Sequence, residues 1–594
     1  MVNYIRRSAL RHALALTLLF IGINCRARAE PVGIPITVAP AVPAELNPPL
    51  QENDGGAPHA TPEQAVAFAW QEFIALNWAA TDQKGEPNNR DTPSATCAFG
   101  DPKCNGPLVW ETFRGKVELF PGVGNPPGYP GMQGDPSFGY DALPEYNYQQ
   151  PVAACDPSQA SEPTPFVNLD ETNEIFLANM YAGGIADNKS EGNSAPNLIR
   201  FLAKANRAQF AYVAANSDPN DQAKQWWFAI PADVVAATKA YLAQNLTSPP
   251  AGSKTMVSQP FGTFEVKAAF RPLTPTEAAS GRFHTQRVRF YEPVGSSNFC
   301  YRNATWGLLA LHIIQKTPSA PYFIYATFEQ ADNILTKSGD PVEDQDGNII
   351  GEPARTANSP QECLVDPQPD AAPPNQTPSN DNSVILTSNL KTCRPAVVEA
   401  YCDDPGNRLY YRNIVGSQSV PSEGNICVNR RQNAIPGVVI NANQTAHEAI
   451  KTYLQANSIE SAPWLYYKLI NVQYFPYDHV LGKLSPNGSL YRGSEPGSAD
   501  KPSTSTYYQA NIVVETNRSL QQFSGGLSSL NPGALVTNWN EDGSQHKNTY
   551  YGGHFSSMGG CMGCHGSQGQ NPEGQAGDFS VILAIGSVTA PGVP

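Results

Sequence analysis

Charge is what this 594-residue sequence has least of. Asp, Glu, Lys and Arg make up 15% of it, against about 25% in an average soluble protein. The charge present leans acidic, with 39 Lys+Arg against 53 Asp+Glu and a net charge of −14. That balance offers no cationic footprint for nucleic acid or an anionic membrane surface, so neither is expected as a partner. Apolar runs of bilayer length are also missing. The stretch Ala13–Ile23 falls short of the roughly 20 residues a spanning helix needs, and nothing later approaches that length. A mature chain without a transmembrane segment follows. There is no Gly-x-Ser-x-Gly elbow, no phosphate-binding loop and no His-Glu-x-x-His pair, which removes the usual signatures of serine hydrolases, P-loop enzymes and zinc proteases. No internal repeat of solenoid or propeller period is visible.

Proline and glycine are plentiful, at 54 and 48 residues, and 40% of the chain is hydrophobic with 10% aromatic. This describes a large core with many turns, and it argues against general disorder. The first 29 residues read as an export signal. Arg6, Arg7 and Arg11 precede the apolar stretch, and Ala27-Arg28-Ala29 has the small-x-small cleavage pattern. The mature chain is therefore expected to start at Glu30, in the periplasm or outside the cell. An uncleaved anchor and a lipid on Cys25 are the alternatives, and Asn24 fits the second poorly.

Cys25 falls in that leader, and Cys561 and Cys564 belong to the motif below. The remaining Cys97, Cys104, Cys155, Cys300, Cys363, Cys393, Cys402 and Cys427 are even in number, which in an oxidising compartment points to disulfides. Cys97–Cys104 and Cys393–Cys402 are the plausible short loops, and the pairing is otherwise open.

Local patterns predict several elements. Thr61, Pro62 and Gln64 form a helix start with a capping box, followed by a helical run to Trp78. Loops dominate from Ala79 to Gln150, with Trp110 turned inward. Pro231–Leu246 reads as a helix. Phe261–Phe270, Gln286–Tyr291 and Tyr322–Phe328 read as strands, and Trp306–Ile314 as a buried apolar segment. Ser338–Asn382 reads as a polar surface excursion. Within it, Val342–Asn348 hints at a calcium loop but fails the EF-hand pattern, so an Asp-Gly hairpin is expected. Thr445–Asn457 is a helix with Ile450, Tyr453 and Leu454 inside. Glu265, Lys267, His312, Glu329 and Asp332 are expected to form a structural polar network.

The residues with distinctive chemistry are Cys561-Met562-Gly563-Cys564-His565, a Cys-x-x-Cys-His sequence. This is the attachment pattern of c-type haem. Two thiols reach two porphyrin vinyl groups, and the adjacent histidine supplies the proximal iron ligand. A thioredoxin-like pair would need a compact strand–helix setting, and a zinc site would need a second ligand pair. The nearest upstream cysteine, Cys427, is too distant in sequence for that. One motif implies one covalent haem c, held by Cys561, Cys564 and His565. Gly566–Pro594 contains no Met, His, Lys, Cys or Tyr. A second axial ligand must therefore come from upstream, or that iron position is open. His554 is the first candidate and Met558 the next. His546, His479, His447, His312, His284 and Met180 follow.

Several stretches resemble an uncharacterised family of large exported bacterial proteins with a single C-terminal c-type haem motif, a cytochrome c family. They are Ala69–Trp78, Val109–Thr112, Phe264–Phe270, Leu308–Thr317, Thr327–Asn333 and Cys561–Phe579. The resemblance implies a haem c protein and no specific activity. The expected architecture is α+β, a large irregular loop-rich body with a C-terminal haem c attachment segment. Its parts are a signal peptide at 1–29, an extended arm at 30–60, a disulfide-bearing main body at 61–470 and a haem-binding segment at 471–594 packed on that body. The expected function is electron transfer with a redox partner protein or a small-molecule donor or acceptor. A haem enzyme of peroxidase or oxygenase type with an open distal iron, and a haem-based sensor, are the alternatives.

Overall fold

The structure is a computed structural model. It describes residues 34–46, 60–124, 139–171, 180–182, 198–216, 259–295, 298–317, 320–336, 340–351, 413–415, 418–420, 426–428, 435–474, 512–513, 536–539, 545–548, 582, 588–590 and 591–593. All the elements below belong to one unit spanning Pro35–Pro594. The expected leader, the helix expected at 231–246 and the pairing expected for Cys393 and Cys402 lie outside the described residues.

The described helices are α1 (Pro62–Leu76), α2 (Lys116–Leu119), α3 (Arg207–Asn216), α4 (Pro275–Ala279) and α5 (Gly437–Ala456). The strands are β1 (Arg114–Gly115), β2 (Ala153–Ala154), β3 (Val167–Leu169), β4 (Met180–Ala182), β5 (Arg200–Ala205), β6 (Phe264–Arg271), β7 (Thr285–Val294), β8 (Asn298–Thr317) and β9 (Ala320–Gln330). After them come β10 (Asn413–Val415), β11 (Gln418–Val420), β12 (Ile426–Val428), β13 (Tyr467–Gln473), β14 (Val536–Trp539) and β15 (Gln545–Asn548).

Nine strands form one sheet in the order β1-β5-β6-β8-β7-β3, with β9 between β8 and β13, and β2 on β8. Strand β8 organises it. Its first half pairs with β7 (Val294↔Asn298 through Thr285↔Gly307), and its second half lies between β6 and β9 (Lys267↔His312↔Thr327). The sheet curls until β3 approaches β5, where Glu171 N–H donates to Phe201 O at 3.1 Å.

Helix α1 starts as its sequence dictates. The Thr61 hydroxyl accepts from Gln64 N–H, the Gln64 side chain returns to Thr61 N–H, and Pro62 fills the first turn. The helix packs against α5 and β13. The Trp70 ring meets Phe328 and His447 edge-on, and Phe73 stacks on Phe328 at 4.1 Å. Full burial of each such ring contributes roughly 1.5–3 kcal/mol. Asn443 on α5 ties the layers together. Its Oδ1 accepts from Trp70 Nε1 and Leu469 N–H, and its Nδ2 donates to Leu469 O and Asp346 O.

Several elements differ from the sequence reading. The apolar stretch Trp306–Ile314 is the middle of the 20-residue β8. Helix α5 begins at Gly437 rather than Thr445, because Val439, Ala442 and Asn443 face the core despite the β-branched run. The opening of the expected surface excursion is tucked inward. Glu343 pairs with Lys468 at 2.7 Å, and both are buried. The Asp-Gly turn is present. Asp344 Oδ1 accepts from Asp346 N–H and Asn348 N–H, and Gly347 has φ +98°. Strand β13 runs through position 470, so the expected boundary at 470/471 falls within a strand. Residues 34–46 of the expected arm have neither helix nor strand, and Gln315 Nε2 holds Pro43 O at 2.8 Å.

Two disulfides are described, Cys97–Cys104 and Cys155–Cys300. The first is one of the expected short loops. The second fastens the start of β8 to β2 across 145 positions. No helix among the described residues is long and apolar enough to cross a membrane.

Candidate functional site

The expected attachment residues Cys561, Cys564 and His565, and the candidate ligands His554 and Met558, lie outside the described residues. As a donor set, two thiols and an adjacent imidazole fit a covalently held haem. The structure does describe residues that follow the motif in sequence. Ile582 and Val588 are buried in a core cluster with Phe120, Tyr148, Phe210 and Tyr291. Val588 N–H donates to Phe120 O at 2.8 Å, Gln149 N–H donates to Thr589 O at 2.9 Å, and Gly592 N–H donates to Asp170 O at 2.8 Å. Val588 and Gly592 form parallel bridges with Pro121 and Glu171.

Below this seat is a buried polar chain. Tyr148 OH donates to Asp170 Oδ2 at 2.9 Å, Asn168 Nδ2 donates to the same oxygen at 3.0 Å, and Tyr291 OH donates to Asn168 Oδ1 at 2.7 Å. Burial lifts the Asp170 carboxyl to about 6, against the opposing pull of Lys116 and the Tyr148 hydrogen bond.

Of the histidines considered as iron ligands, His312, His447 and His284 have described side chains, and each is committed to a neighbour, while His546 is placed only as part of β15. His312, in the middle of β8, is buried with Nδ1 2.8 Å from Thr327 Oγ1. Burial, and then the Lys267 charge beside it, depress its pKa to about 3, so it is neutral. The expected network around it is only partly assembled. Lys267 sits opposite His312, Glu265 accepts from Gln209, and Asp332 turns away to Arg282 at 2.6 Å. His447 on α5 has Nδ1 2.6 Å from Asp346 Oδ1 and Nε2 2.9 Å from Tyr467 O, so both ring nitrogens are engaged.

His284 is held differently. Its Nε2 lies 2.8 Å from Glu111 Oε1, and its ring stacks on Trp464 at 5.1 Å. The side chain is 13% exposed, while Glu111 is fully buried. Glu111 Oε2 also accepts from Leu108 N–H and Gln286 Nε2. Burial alone would raise the Glu111 carboxyl, but His284 and these donors hold it below its ordinary value. The result is an ionised carboxylate that fixes one imidazole in place. The sequence reading missed this pairing, because Glu111 and His284 are 173 positions apart. The only signal near it was the Val109–Thr112 stretch.

A second cluster surrounds Glu118. Arg114 Nη1 reaches it at 2.7 Å and Arg90 Nη2 at 3.2 Å, and their other donors go to backbone carbonyls of Gly139, Tyr140, Ala142 and Thr112. Lys204 next to them donates to Glu111 O and Phe166 O, and burial drops its pKa to about 7. Its donors end on carbonyls of the protein, so this is a brace for the stretches at 90, 111–118, 139–142 and 166. Cys155, Cys300 and Glu292 are grouped closely enough to hold a metal ion, but the two sulfurs are bonded to each other. Comparison with protein-family models, curated proteins and solved structures finds no match to the chain.

Proposed function

We propose that the protein is an exported monohaem c-type cytochrome that transfers electrons, an α+β body with one haem attached near position 561. The observation that carries this is the Cys561-x-x-Cys564-His565 sequence. In this reading Cys561 and Cys564 hold the porphyrin through thioethers, and His565 supplies the proximal nitrogen. The haem, when bound, supplies a one-electron redox centre. The two described disulfides agree with an oxidising, periplasmic or extracellular location. The partner is a redox protein or a small-molecule donor or acceptor.

A second reading, a haem enzyme with an open distal iron, is favoured by one specific observation. His312 and His447 are committed to Thr327, Asp346 and Tyr467, and Nε2 of His284 to Glu111. That leaves His554 and Met558, with His546, His479 and Met180 behind them, as the upstream donors. The spectrum of the exported ferric protein separates the two readings. Electron transfer predicts a low-spin, six-coordinate spectrum that carbon monoxide does not change after reduction. A high-spin ferric spectrum with rapid carbon monoxide binding rejects it in favour of the enzyme. His554→Ala and Met558→Ala then identify the sixth ligand, as the variant that turns high-spin.

A further inference from the structure

The seat that receives residues 588–593 is built from three stretches of the body, at 120–122, 148–149 and 170–171. Gly122 makes room for it. A Cβ at that position would lie 2.6 Å from both Gln149 N and Val588 O, so only glycine permits the approach. Upstream of the Cys-x-x-Cys-His sequence there is a separate anchor. Ile512 and Val513 are buried in a different cluster with Phe201, Leu309 and Ala310, and Ile512 N–H donates to Glu329 Oε1 at 2.6 Å. Positions 561–565 therefore fall, in sequence, between two anchors that are each buried in the sheet-bearing body.

We propose that residues 582 and 588–593 form a latch that fastens the chain downstream of Cys561–His565 to the body, so that the haem is tied in at both ends instead of riding on a free tail. The haem half of this statement rests on the reading above; the clamp rests on the described contacts. Backbone hydrogen bonds to three separate stretches define one seating, where apolar contact alone would tolerate slippage. A redox group tied in at both ends has less freedom to lose on meeting a partner than one on a free tail.

The test uses the full chain with a sequence-specific protease site inserted between Gly525 and Gly526, cut after folding. The fragment starting at Gly526 is expected to co-elute with the body on size exclusion. In the same background, Val588→Asp, and separately a chain ended after Gly586, should increase the dissociated fragment by at least about tenfold, whereas Val588→Ile should not. Far-UV circular dichroism of each uncut variant verifies the fold, and the shortened chain serves where Val588→Asp does not fold. A wild-type fragment that leaves the body, or variants that hold it as tightly as wild type, overturns the clamp. A haem stain of the cut protein on a denaturing gel reports separately. Stain on the fragment upholds the cargo, and a fragment without stain overturns the haem reading while co-elution still judges the clamp.

Discussion

At Glu72 a carboxyl group sits in the middle of α1, buried, with no hydrogen-bond partner for either oxygen among the described residues. Burial raises its pKa well above the ordinary value. A raised folded-state pKa leaves stability intact at low pH and removes it as pH rises through that value. Glu72→Leu should therefore stabilise the protein at pH 8 by about 1–3 kcal/mol, with a smaller gain at pH 4, read from denaturant midpoints. His312 has the opposite sign. Its folded pKa of about 3 lies below the unfolded value of 6.5, so its contribution is present above pH 6.5 and lost on acidification towards 3. Between those limits stability should fall by up to ~1.4 kcal/mol per pH unit on its account. His312→Gln should flatten that slope in a series of unfolding curves, and an unchanged slope would show that other groups set it.

At the scale of elements, α5 is held by Asn443, whose amide serves Trp70, Leu469 and Asp346 at once. Asn443→Ala leaves buried donors and acceptors unmet and should cost about 2–4 kcal/mol in urea unfolding. Thr61→Ala removes only a cap and should cost about 1 kcal/mol in the same assay. These two positions also mark what could be read in advance. The start of α1 is written locally, in Thr61, Pro62 and Gln64, and so are the alternating residues of β6 and β7. Asn443 gave no such signal, because its partners come from three distant segments. Lys267 and Glu265 on β6 alternate with apolar residues as if facing water. Yet Glu265 is buried against Gln209, and Lys267 is half-buried over the Phe201 ring. The Glu111–His284 pair was illegible for the same reason as Asn443.

At the scale of the whole molecule, the long strand β8 joins two halves of the sheet, and Cys155–Cys300 closes a loop of 145 positions at its start. In the chain-entropy account such a closure contributes about 5 kcal/mol. Cys155→Ser with Cys300→Ser should lower the unfolding midpoint markedly, while the same change at Cys97 and Cys104, which closes only a short loop, should lower it less. A reversed order would show that strain or residual structure dominates the loop term.

In the reading proposed above, the chain is exported and the Cys561–His565 sequence holds its haem. The intact mass of the exported chain tests that claim most directly. The account predicts a covalent adduct of one haem per chain, absent from Cys561→Ala/Cys564→Ala. A wild-type chain at the apoprotein mass, with those two sulfurs joined to each other or holding zinc, would contradict it.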